Sequence, residues 1–252
     1  MPYKENPKTR GSGIICAIPQ TGTCPNKCED CFFQSGRSYL EPLDKNLPNL
    51  PSAQYAKNRV VRVNDGNDSN VNRKLVIKST KFLFFFKKYK MKFYNTAIPR
   101  DLDKFDAPVV LTLNPGEKTD SMIYCVEPIP KNLMFVRFRV NTWNLDLADA
   151  AVDYYSKLEV PVILTFMAYF GSEISESHKT NYMFRKRTLN SYWAITTTAW
   201  EEIMARYKYN KWVYSCGKIE GEKGTTACRH CGNCLREYFA TMERLRNDQK
   251  PK

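Results

Sequence analysis

The chain lacks any apolar run near the roughly 20 residues that would cross a bilayer, so no membrane-spanning helix is expected. It also lacks a charged-then-apolar leader with a cleavage site, and together these absences lead us to expect a soluble cytoplasmic protein. Histidine is scarce: His178 and His230 are the only two, and neither has a partner spaced for acid–base work. A disulfide framework is disfavoured as well, because the nine cysteines are odd in number and seven of them fall in two tight clusters. Metal sites in a reducing compartment explain that distribution better. Acidic residues are outnumbered, 26 against 39 basic ones, and the resulting net charge of +13 makes an anionic partner, nucleic acid among them, a natural expectation.

What is present begins with Cys24-Pro25-Asn26-Lys27-Cys28-Glu29-Asp30-Cys31, which brings three thiols into one short loop. Thiolates at this density suit a soft metal ion or an iron–sulfur cluster, whose positive charge holds each sulfur deprotonated. A closed structural site takes four protein ligands. Three cysteines on a four-iron cluster leave one iron without a protein ligand, and that iron is open for chemistry. The other reading is a zinc loop that borrows a fourth ligand such as Cys16.

This Cys-x3-Cys-x2-Cys loop, following the apolar strand Ile14-Ile15-Cys16-Ala17-Ile18, resembles the signature of the radical S-adenosylmethionine (radical SAM) enzymes. The resemblance implies a [4Fe-4S] cluster on Cys24, Cys28 and Cys31 whose open iron chelates SAM, with reductive cleavage giving a 5′-deoxyadenosyl radical. It implies an α/β fold, a partial (β/α)6 TIM-like barrel, and a reductant such as flavodoxin or ferredoxin. The family usually has an aromatic residue just before the third cysteine, near the adenine. Here that place is Asp30, and Phe32 and Phe33 follow the cysteine, so Phe32 is the candidate adenine contact. The run Asn64-Asp65-Gly66-Asn67-Asp68-Ser69 occupies the position of the family's glycine-rich motif, which binds the methionine amino group, although Gly-Gly-Glu itself is absent. Such residues also build ordinary turns and helix caps. By the same resemblance Asn114, Arg139 and Asn141, at the ends of the fourth and fifth strands, contact the ribose and carboxylate of SAM.

Along the chain, residues 1–11 read as a loosely held arm, 12–170 as the barrel, and 171–252 as a helical C-terminal extension. Strands are expected around residues 14–18, 59–63, 91–96, 108–114, 135–141 and 162–167. Alternation puts Arg137, Arg139 and Asn141 on one face of the fifth strand, and Thr112 with Asn114 on one face of the fourth. In a barrel clothed by helices the polar face points inward, where arginines need anionic partners or ligands. Helices are expected at Ser52 to Asn58, Val71 to Phe86, Asp146 to Leu158, Ser191 to Tyr209 and Leu235 to Arg246. The third of these carries Leu147, Ala151, Tyr154 and Leu158 on a core stripe. Cys16 and Cys125 read as buried core thiols.

The second cluster is Cys216-x11-Cys228-x2-Cys231-x2-Cys234. Four thiolates complete a coordination sphere, so this site is closed, as a second [4Fe-4S] cluster or a structural zinc. Some radical SAM enzymes carry such auxiliary clusters in C-terminal extensions. Two other functions share these residues: a SAM-dependent step that is not radical, and a noncatalytic zinc protein that binds nucleic acid through its basic surface.

Overall fold

The computed structural model describes residues 2–26, 28, 31, 33, 38–81, 89–115, 125–170, 174–187, 191–216 and 227–248. Its centre is a curled sheet of seven parallel strands. In chain order these are β1 (Ile14–Ala17), β2 (Val60–Val63), β3 (Lys92–Thr96), β4 (Val109–Leu113), β5 (Leu133–Val140), β6 (Val162–Phe166) and, after an excursion, β10 (Val213–Cys216). The first six are neighbours in sequence order and β10 adds to the β6 edge. Between β6 and β10 lies a small antiparallel sheet of β7 (Ala168–Phe170), β8 (Tyr182–Arg185) and β9 (Tyr192–Ile195), ordered β7-β9-β8. The helices are α1 (Leu43–Asn46), α2 (Arg73–Thr80), α3 (Leu145–Lys157), α4 (Thr197–Ala205), α5 (Cys228–Cys231) and α6 (Asn233–Asn247).

Strand register explains how the two faces divide, because partners across a parallel pair point the same way. One face carries Ile15, Val61, Tyr94, Leu111, Val136, Phe138 and Leu164, and packs under α3 and α4 in the main core. The inner face is split along the strands. Towards the strand starts, Val60, Phe93, Val110, Phe135 and Ile163 are apolar, and Tyr238, Leu235 and Met242 of α6 pack on them. One step further along, the register aligns Cys16 with Arg62, Thr112 with Arg137, Arg139 with Thr165, and Thr165 with Cys216. Thus α6 closes the lower part of the curl and leaves its polar upper part open towards the strands' C-terminal ends. Parallel sheets present their sites at those ends.

Several expectations change. The arm is not loose: Tyr3 Oη donates to Cys16 O at 2.8 Å, and Lys4 and Asn49 exchange backbone-to-amide bonds of 2.9 and 2.8 Å. Further along it, Glu5 pairs with Arg59 at 2.5 Å and Thr9 is fully buried. Polar side chains with partners across the β1 edge hold it down. The 52–58 stretch forms turns rather than a helix, and helix α2 begins at Arg73 and ends at Thr80, with residues 82–88 outside the described set.

In α3 the buried stripe is Ala148, Ala151, Val152 and Tyr155, while Leu147 and Leu158 are exposed. A helix that starts at Leu145 after Asn144 turns its apolar face one residue from the expected one. Asn144 spends its side chain on Asn141 N and Arg139 O. Cys125 is exposed and outside any strand, whereas Cys16 is fully buried as expected. The stretch expected as a helix from Ser191 begins as strand β9, because Tyr192 and Ile195 are buried against the sheet and core, and turns helical only at Thr197, where Thr196 Oγ1 caps Ala199 N. The sheet also takes its seventh strand from beyond residue 170. No helix among the described residues is long and apolar enough to cross a membrane.

Candidate functional site

Cys24, Cys28 and Cys31 border a cavity of about 280 Å³ at the C-terminal ends of the strands. Its walls come from the strands and the segments that follow them: Arg62 of β2 and the 64–68 loop after it, Asn95 and Thr96 of β3, Thr112 of β4 and Asn114 just beyond it, Arg137 and Arg139 of β5, and Met167 after β6. The volume is at the small end of ligand pockets, which run about 300–1,000 Å³. Two larger cavities exist. One of about 660 Å³ lies at the opposite strand ends, where the buried Lys92 Nζ is already satisfied by Asp106 at 3.0 Å and by Thr80 O at 3.2 Å. The other, about 690 Å³, flanks the β10 edge. The cysteine cavity is the smaller, and it is the one that gathers three thiols with two arginines of β5.

The loop after β2 is built around Asp68. Its carboxylate accepts from Thr96 Oγ1 and Ala97 N at 2.7 Å, from Asn70 N at 2.8 Å and from Asn26 Nδ2 at 2.9 Å. Asn26 lies between the first two cysteines, so one buried carboxylate ties the cysteine loop to β3 and to the approach to α2. Gln20 Nε2 donates to Asp68 O at 2.8 Å and Asn67 Nδ2 to Gly22 O at 2.8 Å, adding two more ties across the same gap. Asn64 is buried at φ +59 and donates to Ser69 Oγ. Asp68, Asn64 and Ser69 therefore shape the loop, while Asp65, Gly66 and Asn67 face the cavity alongside it.

Gly66 is where the backbone comes closest to the cysteine side. A Cβ there would sit 2.1 to 2.2 Å from three carbons of the Phe33 ring, well inside contact distance. Phe33 is two residues past Cys31 and packs with Ile18, Leu40, Leu43 and Leu47. Gly66→Ala is accordingly expected to overpack this contact by about 1–3 kcal/mol. Thermal unfolding measures it, and the ring's displacement shows as a faster reaction of Cys31 with a thiol reagent.

Charge is unevenly satisfied in the cavity. Arg62 pairs with Asp65 at 3.4 Å and donates to Cys16 Sγ at 3.3 Å, yet Arg62 Nε and Asp65 Oδ1 are buried without a hydrogen-bond partner among the described residues. Asp65 Oδ2 also accepts from Asn6 Nδ2 at 2.6 Å, so the N-terminal segment reaches the site. Arg139 donates from Nη1 to Asn114 Oδ1 at 3.2 Å and from Nε to Met167 Sδ at 3.0 Å, and Asn114 Nδ2 donates to Cys28 Sγ at 3.6 Å. Arg137 reaches Asn95 Oδ1 at 3.4 Å. Burial pushes the Cys24 thiol up to about 11, against an amide bond from Asn26, and raises Cys28 as well, with Cys31 adding to the shift. Metal loading displaces thiol protons, which favours uptake at higher pH.

The four cysteines of the second set lie on β10, α5 and α6. Cys216 is the last residue of β10, Cys228 and Cys231 bound the single turn α5, and Cys234 lies in the first turn of α6. Gly232 makes the reversal between the two helices at φ +69, a conformation that glycine adopts without penalty. Asn233 Nδ2 holds α6 to Ser215 O at 2.9 Å, and Cys228 N donates to Lys8 O at 3.0 Å. A hydrogen bond with Cys231 pulls the Cys216 thiol down, while burial pushes Cys234 up against the field of Arg137. Arg62 and Arg137 supply positive charge to this set from the inner face.

Among the described residues no three His, Cys, Asp or Glu side chains stand in metal-ligand geometry. By chemistry rather than by geometry, thiols are soft-metal donors, and they fall in two sets: three bordering the cavity and four near the junction of β10, α5 and α6.

Of the residues expected at a cofactor, Asp65, Gly66, Asn67, Asp68, Asn64, Asn114 and Arg139 all border the cavity. Ser69 lies behind it. Asn141 does not line it: its amide donates to Tyr169 Oη at 2.9 Å and accepts from Trp143 N, because it closes the turn from β5 into α3. Phe32 lies outside the described residues. Arg62, Asn95 and Met167 were not anticipated. The alternation Val60-Val61-Arg62-Val63, with a lone cation on a strand of valines, was the signal for the first of them. Comparison with family models, curated proteins and solved structures returned no match.

Proposed function

We propose that the chain is a radical SAM enzyme, folded as a partial (β/α)6 barrel, in which Cys24, Cys28 and Cys31 hold a [4Fe-4S] cluster. The observation that carries the reading is the meeting of three thiols, and no fourth cysteine, with inward arginines at the C-terminal end of a curled parallel sheet. When bound, such a cluster supplies the electron that cleaves SAM and begins radical chemistry. The chain's own residues bind and orient. Arg62 Nε and Asp65 Oδ1 are the unpaired buried groups that a zwitterionic amino acid moiety satisfies, carboxylate to guanidinium and ammonium to carboxylate. Asn114 holds both Cys28 and Arg139, fixing a thiol and a cation in one geometry. The 64–68 loop and the apolar Phe33 contact limit water at the cavity.

Cys216, Cys228, Cys231 and Cys234 hold the second centre, iron–sulfur or zinc. A small electron-transfer protein such as flavodoxin or ferredoxin serves as reductant in the cytoplasm. The test is product analysis after anaerobic reconstitution and reduction in the presence of SAM. Formation of 5′-deoxyadenosine supports the proposal. S-adenosylhomocysteine as the sole nucleoside product assigns a methyl transfer instead, and unchanged SAM assigns a noncatalytic metal protein.

A further inference from the structure

The small sheet β7-β9-β8 is not used by the cofactor reading, yet it grows from the lip of the cavity. Met167, which lines the cavity, immediately precedes β7, and Tyr169 of β7 takes its hydrogen bond from Asn141 at the end of β5. Register places Tyr169 opposite Trp193, and Trp193 opposite Phe184, so three aromatic side chains form one row across three strands on one face. The row continues onto the neighbouring turn. Trp143 packs 5.1 Å from Tyr169, 5.7 Å from Tyr182 and 5.1 Å from His178. At the other end Phe184 packs 5.2 Å from Trp193.

Both ends of this row remain open, with Phe184 50% and Trp143 44% exposed. Each ring is packed on its inner side and half-open on its outer side, so the two offer stacking surfaces on one scaffold to a ligand with flat faces. The charge beside them specifies its sign. Lys186 and Arg187 follow beyond the end of β8 and are exposed, Arg187 stacking on Tyr192 at 5.0 Å, while Arg185 shares the opposite strand face with Met183. The nearby Glu176 is already paired with Lys179. Flat faces with regularly spaced negative charge describe single-stranded nucleic acid. Stacking platforms flanked by cations bind it with little regard to sequence. An acidic peptide satisfies the cations but gives the open rings nothing to stack.

We propose that this sheet binds single-stranded nucleic acid, bases stacking on Phe184 and Trp143 and phosphates meeting Lys186 and Arg187, with the strand leading to the cysteine cavity. Binding stands independently of the cofactor chemistry. That the strand is the substrate rests on the proposed radical SAM reading.

The test uses the full-length protein without SAM or reductant, titrated into fluorescein-labelled single-stranded RNA and DNA of about 16 nucleotides, enough to span one binding site. Anisotropy reports binding, and quenching of Trp143 fluorescence reports stacking. Combined Phe184→Ala and Trp143→Ala is expected to weaken binding about tenfold or more, the loss typical of removing base–aromatic stacks. Lys186→Ala with Arg187→Ala is expected to flatten the salt dependence by about 1.4 units of log–log slope, about 0.7 for each cation removed from a single strand. Met183→Ala is the control, because Met183 is exposed on the opposite face of the same strand, and it binds as the parent does. The tighter of the RNA and DNA arms identifies the natural source. Equal competition by a duplex of the same length or by polyglutamate overturns the proposal, as does unchanged affinity in the aromatic variant. Loss of anisotropy leaves 5′-deoxyadenosine formation measurable, and loss of that product leaves anisotropy intact, so the two readings fail separately.

Discussion

Asp68→Ala is expected to lower the melting temperature by about 10 °C, more than any other single substitution in the site. Its carboxylate accepts four hydrogen bonds, two from backbone N–H groups of Asn70 and Ala97 that have no alternative acceptor once it is gone. Bonds to a charged group contribute about 1.5–3 kcal/mol each, and they do not add fully, so we expect a loss of about 3–4 kcal/mol. A chain of this size loses about 2–4 °C per kcal/mol. The loss is local as well as global. Asn26 is released from Asp68, so the cysteine loop loosens, and alkylation of Cys24 is expected to accelerate in the variant even well below its melting point. Asp68→Asn keeps the shape but gives up half of the accepting capacity, and an intermediate loss is the expected outcome. A melting temperature within about 2 °C of the parent would show that the loop is held by something other than this carboxylate.

The second large effect concerns chemistry rather than stability. Replacing Cys24, Cys28 and Cys31 together by alanine is expected to abolish 5′-deoxyadenosine formation and to leave the fold intact, since the three thiols are only partly buried and lie on a loop. Metal content is the informative companion measurement. The second cysteine set is anchored by Asn233 to β10 and by Cys228 N to Lys8, neither of which involves the first loop. The triple variant is therefore expected to retain the metal of the C-terminal site. Converse substitution of Cys228 and Cys231 by alanine should remove that metal and also cost stability, because α5 joins the N-terminal segment to α6. A triple variant that still cleaves SAM would exclude the first loop as the reactive site.

Much of this arrangement is legible in the sequence, for a physical reason. A strand buried on both faces announces itself as an apolar run, so six of the seven parallel strands stand out, and alternation gives the inward direction of Arg137, Arg139, Thr112 and Asn114. Cysteine spacing is equally local. What the sequence hides is whatever depends on partners distant along the chain. Strand β10 is short, and only its pairing with β6 makes it part of the sheet. The N-terminal segment looks unstructured because its polar residues find partners tens of residues away, as Asn6 does at Asp65. Asp68 and Asn141 illustrate the ambiguity of turn residues. Each belongs to a polar run that suits ligand binding as well as loop building, and the structure spends both on loop building, Asp68 while still bordering the cavity. Tertiary hydrogen bonds decide such cases, and they are invisible to periodicity.

In the proposed enzyme, three thiols hold a cluster with an open coordination place facing Arg62 and Asp65. Electron paramagnetic resonance of the anaerobically reconstituted and reduced protein, recorded with and without SAM, tests it most directly. The expected result is a four-iron signal whose g values shift when SAM is added and which disappears in the Cys24/Cys28/Cys31→Ala protein. A spectrum indifferent to SAM, or a protein that takes up only zinc at both cysteine sets, would contradict it.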